Sequence, residues 1–273
     1  MSTHFRLPPY SAVGYHVALF VTSLHHRSLA YSTIRTYISA LSFLFRLQSQ
    51  ADPTSALLVV KALQGVQNLA RNKSSLLPIS KPLLHDLITV IPKCVSVQYD
   101  RVMFTSIFLL TYYACLRIGE VVVSANPSNT LQLHQLTRTS IVSQPAYFIS
   151  FLQYKHSNHR TPTITLLSID DNTFCPVHSL NEYLCLRGQA PGPLFLDNCG
   201  HPVTRTRVST VLKTCLTFLD LPQARYNTHS FRVGRTTQLA ADNASDATIR
   251  HTGRWASNAY LKYIRPTNFT LPK

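Results

Sequence analysis

Residues 229–263 read HSFRVGRTTQLAADNASDATIRHTGRWASNAYLKY, and the reading of the whole chain starts from this stretch. It opens with His229 and Arg232, three residues apart and just after Thr228, a candidate N-cap. That spacing sends both side chains from one face of a helix's first turn, where a phosphate fits. The stretch closes with the chain's single tryptophan, Trp255, and a short helical run, AYLKYIR, that carries Tyr260 and Tyr263 before Pro266 stops it. Upstream, ACLRIGEVV at 114–122 repeats the one-face spacing with Arg117 and Glu120, directly behind a fifteen-residue apolar run. Taken singly, a His-x-x-Arg pair is as readily a solvated helix face, and a lone Trp as readily core. Two arginines arriving from distant segments, together with His, Trp and Tyr, form a constellation suited to phosphoryl transfer.

Composition narrows the partner. The chain has 273 residues, 45% of them hydrophobic, which is enough for a proper core and predicts two domains. Twenty-six Lys and Arg stand against 11 Asp and Glu, a formal net charge of +15, so a polyanion is expected. No basic amphipathic helix or lipidation motif points to a membrane surface, which leaves nucleic acid as the favoured partner. The six cysteines lack CxxC or other zinc-like spacing and read as reduced thiols. His156 and His159 form an HxxH with no further ligand at the required spacing, so neither a metal nor any other cofactor is expected. No segment reaches the roughly 18 apolar residues of a membrane span, which predicts an intracellular protein.

The pattern along the chain predicts a mostly α fold with a small antiparallel β-sheet. From about 12 to 76, apolar residues recur at three- and four-residue steps: Val17, Leu19, Phe20 and Leu24, then Ile34, Ile38, Leu41 and Leu44, then Leu57, Val60, Leu63, Val66 and Leu69. Ser32 or Thr33 would cap the second helix, and Asp52-Pro53 separates it from the third. NKSSLLPISKP at 72–82 has the composition of a linker. Helical text follows at 83–91 and 102–116, the latter a buried core helix that would serve as a platform for Arg117. AYFISFLQY (146–154) and PTITLLSI (162–169) read as a hairpin whose basic tip carries Lys155 and Arg160. Helices return at 176–187 and 204–219. Within this frame Arg35, Arg71, Lys73, Lys81 and Arg160 are candidate contacts to DNA phosphates.

Five ordered elements resemble the tyrosine recombinases, or phage-type integrases: Arg117-Ile-Gly-Glu120, Lys155 in a hairpin, His229-Ser-Phe-Arg232, Gly253-Arg-Trp255 and Tyr263-Ile-Arg. The wording HSFRVG…GRWASNAYLKYIR is most similar to recombinases of eukaryotic DIRS-like and crypton-like mobile elements. The resemblance implies a helical core-binding domain over 1–78, a catalytic domain over 79–273, and a nuclear location if the source is eukaryotic. It also implies double-stranded DNA as substrate, cut and rejoined through a 3′-phosphotyrosyl intermediate. In that scheme Arg117 and Arg232 fork onto the scissile phosphate, Trp255 adds an indole N–H, His229 acts as acid or base, and Lys155 protonates the leaving 5′ oxygen.

Glu120 would pair with and orient an active-site arginine or histidine. Tyr260 and Tyr263 lie three apart on one helical face, so spacing does not choose between them; the resemblance assigns the nucleophile to Tyr263. Ten residues follow Tyr263, with Pro266 and Pro272 among them, too few and too broken for a docking helix. A monomer that gathers into dimers and tetramers only on DNA is therefore expected. Two alternatives share these residues: a domesticated DNA-binding protein that recombines nothing, and a type IB topoisomerase-like relaxing enzyme.

Overall fold

Helical periodicity in the first seventy residues produces three helices, α1 (Pro9–His26), α2 (Tyr31–Leu47) and α3 (Leu57–Ala70). The computed structural model describes residues 9–70, 76–123, 130–151 and 163–265, divided into units Met1–Ser75 and Leu76–Lys273. In the first unit Val17, Val21, Leu24, Ile34, Ile38, Val59 and Val66 form the core. Leu19, Phe20, Leu44, Leu57, Val60 and Leu69, expected on the buried faces, are exposed. These helices are apolar over more than one stripe, and packing picks the stripe through Val17, Val21 and Leu24. The expected cap at Ser32 or Thr33 is also corrected: α2 starts at Tyr31 behind an extended Ala30, with no side-chain cap. Asp52 accepts the backbone N–H of Thr54 at 2.9 Å and caps the 3-10 turn Pro53–Ser55.

The second unit begins inside the expected linker. Leu77 and Ile79 are buried, and their N–H groups donate to the carbonyls of Arg225 (2.8 Å) and Ser230 (3.0 Å). The Ser80 hydroxyl then accepts the N–H of Leu83 and starts α4 (Lys81–Cys94). The expected core helix is α5 (Gln98–Tyr113), with Met103, Phe104, Ile107, Phe108 and Leu110 all buried. It is followed by a left-handed Cys115 (φ 50), whose N–H donates to the Tyr112 carbonyl while that of Leu116 donates to Thr111. This turn reverses the chain and delivers Arg117 to the N-cap of α6 (Ile118–Val121).

Three antiparallel strands form the sheet, in the order β1 (Leu136–Ile141), β2 (Gln144–Ser150) and β3 (Thr163–Leu167). Leu136 pairs with Ile149, which pairs in turn with Ile164. The sequence pattern missed β1 because LTRTSI is polar and mostly exposed; its tight turn at Val142 and Ser143, both at positive φ, carries no glycine or asparagine signal. The tip between β2 and β3, with Lys155, His156, His159 and Arg160, lies outside the described residues, as do Arg71 and Lys73.

The remaining helices are α7 (Pro176–Arg187), α8 (Arg205–Phe218), α9 (Ser230–Ala241) and α10 (Asp246–Gly253), and a 3-10 turn follows at Asn258–Tyr263. Helix α5 packs on α4, α7 and α9, and α8 packs on α4. Arg207 joins α8 to Asp100 of α5 at 2.7 Å and to Asp197 at 2.9 Å. Gly234 lies where α9 crosses the 76–80 segment, and a Cβ there would run into the carbonyl of Ile79, so only glycine allows the approach. Among the described residues no helix is long and apolar enough to cross a membrane.

Candidate active site

Helix α9 builds the centre. Its N-cap is His229 rather than Thr228, with φ −76 and ψ −20 and no side-chain cap; the His229 N–H donates to Asn227 Oδ1 at 2.8 Å. The Ser230 N–H, which a Thr228 cap would have accepted, donates instead to the Asn227 backbone carbonyl at 2.9 Å. The next turn inward carries Arg232, 0% exposed, the largest fully buried side chain among the described residues. Its Nη1 donates to the Cys115 carbonyl at 2.6 Å and its Nη2 to the Gly253 carbonyl. A guanidinium has five N–H groups, so two committed donors hold the plane while others remain for a ligand. Arg232 is built into the protein and not displayed on a solvated helix surface, the alternative that a His-x-x-Arg pair leaves open.

The Trp255 indole covers this guanidinium, which lies 4.3 Å from the ring centroid, a cation–π contact. The Tyr263 ring lies 5.7 Å from the same guanidinium, and its centroid is 5.1 Å from those of both His229 and Trp255. The run expected as a short α-helix is the 3-10 turn Asn258–Tyr263, and the two tyrosines separate. Tyr260 is 2% exposed among Leu239 and Ile249, and Asp246 beside it raises its pKa. Tyr263 is half-buried in the cationic cluster.

Arg117 reaches the site from the N-cap of α6, with its side chain 39% exposed. Glu120 clamps it twice: Oε2 accepts the Arg117 backbone N–H at 2.8 Å and Oε1 accepts Nη1 at 3.1 Å. A second arginine, Arg254, donates to Glu120 Oε2 at 2.5 Å. Burial works to raise the Glu120 pKa, but Arg254, the Arg117 N–H and the two guanidiniums Arg117 and Arg232 hold it below its ordinary value. Sequence reasoning gave Glu120 an arginine partner but missed Arg254, the Cys115 carbonyl and the covering role of the indole face. Arg254 could have been suspected from its place inside Gly-Arg-Trp; a backbone carbonyl leaves no sequence signal.

The balance of charge is uneven. Arg117 and Arg254 pair with one carboxylate, Glu120, while Arg232 is tied to backbone carbonyls, and the Arg232 charge is disfavoured by burial and by its two arginine neighbours. An anion is the ligand such a site accommodates. Burial first, then Arg232, Arg117, Arg205 and Arg265, lower the His229 pKa from 6.5. His85 is lowered too, by burial and then Lys81. For both, the unfolded chain binds more protons than the folded one just below pH 6.5, so their contribution to stability is present above 6.5 and lost as pH falls through the folded pKa. The denaturation midpoint should therefore fall between about pH 7 and about pH 5.5, and His229→Gln should flatten that slope in part. A slope unchanged by the substitution would show that His229 titrates normally.

Of the candidate DNA contacts, Arg35 is exposed on α2 of the first unit and Lys81 is exposed at the start of α4. One grouping of possible metal ligands occurs among the described residues, Asp197, Cys199 and His201. The Asp197 carboxylate there is already occupied by the N–H groups of Cys199 and His201 and by Arg207, the pattern of a tight turn.

Solved structures share this fold. The integrase of transposon Tn1549, in complex with circular intermediate DNA, superposes with a TM-score of 0.63 at 15% identity, over 96% of this chain and 84% of that one. The fold is that of the tyrosine recombinases. The site-specific recombinase XerH, bound to palindromic difH substrate, gives 0.66 at 18% identity over 92% and 68% of the two chains. A lambda integrase dimer bound to a COC′ core site gives 0.59 at 12% over 95% and 66%. No family model and no curated protein matches by sequence. The mostly α recombinase fold with its small antiparallel sheet thus stands as expected from the sequence.

Proposed function

We propose that this chain is a site-specific DNA recombinase or integrase that breaks and rejoins double-stranded DNA through a 3′-phosphotyrosyl intermediate. The reading rests on one observation: the Tyr263 ring lies against Arg232, His229 and Trp255, in a site where two further arginines, Arg117 and Arg254, pair with Glu120. The Tyr263 hydroxyl attacks the scissile phosphorus, His229 takes or positions its proton, and the 5′ oxygen leaves. Arg117 and the free N–H groups of Arg232 stabilise the charge that develops on the non-bridging oxygens. Trp255 contributes its indole N–H, and Lys155 gives the departing 5′ oxygen its proton. The phosphotyrosyl ester keeps the energy of the broken bond, so a 5′ hydroxyl from another strand reverses the step without ATP.

Residues 1–78 take the part of a helical core-binding domain and 79–273 that of the catalytic domain. Together they grip duplex DNA through a basic surface that includes Arg35, Arg71, Lys73, Lys81 and Arg160, and dimers and tetramers assemble there. In a eukaryotic source the protein works in the nucleus, and the DIRS-like and crypton-like elements remain the proposed kin.

The test is incubation with a nicked suicide duplex, from which the 5′ hydroxyl escapes so that religation fails and a covalent protein–DNA adduct accumulates. The adduct should form equally in EDTA, because guanidinium groups and His229 supply the charge stabilisation asked of a metal in other phosphoryl-transfer sites. Specific duplex binding with no adduct would support the domesticated binder instead.

A further inference from the structure

We propose that Arg254 is a positioning residue, which pairs with Glu120 Oε2 so that the Arg117 guanidinium, held at Nη1 by Oε1, keeps its remaining N–H groups for the phosphate; this rests on the recombinase reading above. Arg254 ends α10 in the left-handed region (φ 54, ψ 48), its N–H donating to the carbonyls of Arg250 and His251. Glycine or asparagine is favoured at such a C-terminal position. An arginine held in that backbone, with its side chain only 2% exposed, is not a surface choice.

Its side chain is fixed on two sides. The guanidinium lies 4.4 Å from the Phe151 ring centroid, at the end of β2, and Nη2 meets Glu120 Oε2 at 2.5 Å. The same carboxylate holds Arg117 at its backbone and at Nη1. One carboxylate thus serves two guanidiniums of unequal freedom, the buried Arg254 and the 39% exposed Arg117. A buried carboxylate left unpaired draws in the nearest cation. Without Arg254, that cation is Arg117, whose Nη1 already meets Oε1 at 3.1 Å and whose other N–H groups would then turn to Oε2 and away from a phosphate.

The neighbouring atoms serve the same end. The Gly253 carbonyl accepts from Arg232, and the Trp255 indole covers that guanidinium. A Cβ on Gly253 would collide with the indole, so the tripeptide Gly253-Arg254-Trp255 holds Arg232 directly and Arg117 through Glu120.

The test is a double-mutant cycle on single-turnover adduct formation by the full chain. Arg254→Gln should slow the adduct about 10- to 100-fold with duplex affinity unchanged. Added to Arg117→Lys, it should slow the reaction less than about threefold more, because both changes remove the same positioned guanidinium. Arg254→Lys, which keeps the buried charge, should recover most of the rate, and Arg254→Met, uncharged and close in length, replaces Arg254→Gln in the cycle if that variant fails to fold. Multiplying effects in the cycle would overturn the proposal, since a merely structural loss is independent of Arg117. A second readout needs no chemistry: the Arg117 side-chain N–H resonance in the DNA-free protein should shift in Arg254→Gln. A wild-type chain without adduct but with that shift sinks the recombinase reading and leaves the positioning intact, whereas an unmoved resonance sinks the positioning.

Discussion

Tyr263→Phe should abolish the covalent adduct on a suicide duplex, down to background, while leaving duplex affinity nearly unchanged. The substitution removes one oxygen, the proposed nucleophile, and keeps the ring that lies against Arg232, His229 and Trp255. Among the described residues, Tyr263 is the tyrosine whose ring meets both His229 and Arg232. Tyr260, the one rival by sequence, is buried with Leu239 and Ile249, and Asp246 raises its pKa, both unfavourable for a nucleophile that must lose its proton. Tyr260→Phe should therefore retain adduct formation. Gel analysis of labelled DNA after denaturation reads both variants, and an adduct that survives Tyr263→Phe but not Tyr260→Phe would reverse the assignment.

Arg232→Lys should slow adduct formation on the order of 10²- to 10³-fold, the size of effect seen when one preorganised donor to a transition-state oxyanion is lost. A lysine ammonium is a single point; it has no planar fork with which to hold the carbonyls of Cys115 and Gly253 and still present N–H groups to a phosphate. Arg232→Ala should also lower stability, by about 1–3 kcal/mol for each buried acceptor it leaves unsatisfied. Relief of repulsion from Arg117 and Arg254 offsets part of that loss. Denaturant midpoints together with adduct rates separate the two effects. A lysine variant with near wild-type rate would show that Arg232 is a structural brace only.

Much of the site was legible because its chemistry is carried by residue types at short, regular spacings. His229 with Arg232, Arg117 with Glu120, and Trp255 followed by Tyr263 are each local patterns, and local patterns survive in a linear text. The buried stripe of α1 was less legible, since Leu19 and Phe20 are as apolar as Val17 and Val21 and only the neighbouring helices choose. Strand β1 was missed because its alternation is polar on both faces at most positions.

By itself the sequence determined the class of fold, the basic character of the chain and which side chains are proposed to meet a phosphate. The tertiary structure alone decided their division of labour. It buried Arg232 under the indole and tied it to two backbone carbonyls, and it gave Glu120 a second arginine from 134 residues away. It also sent Tyr260 into a small core while Tyr263 stayed with the guanidiniums. The physical reason is that carbonyl directions, ring faces and burial are set by the left-handed turn at Cys115, the left-handed Arg254 and the 3-10 turn at Asn258–Tyr263. Such backbone choices depend on long-range packing, and no spacing in the text encodes them.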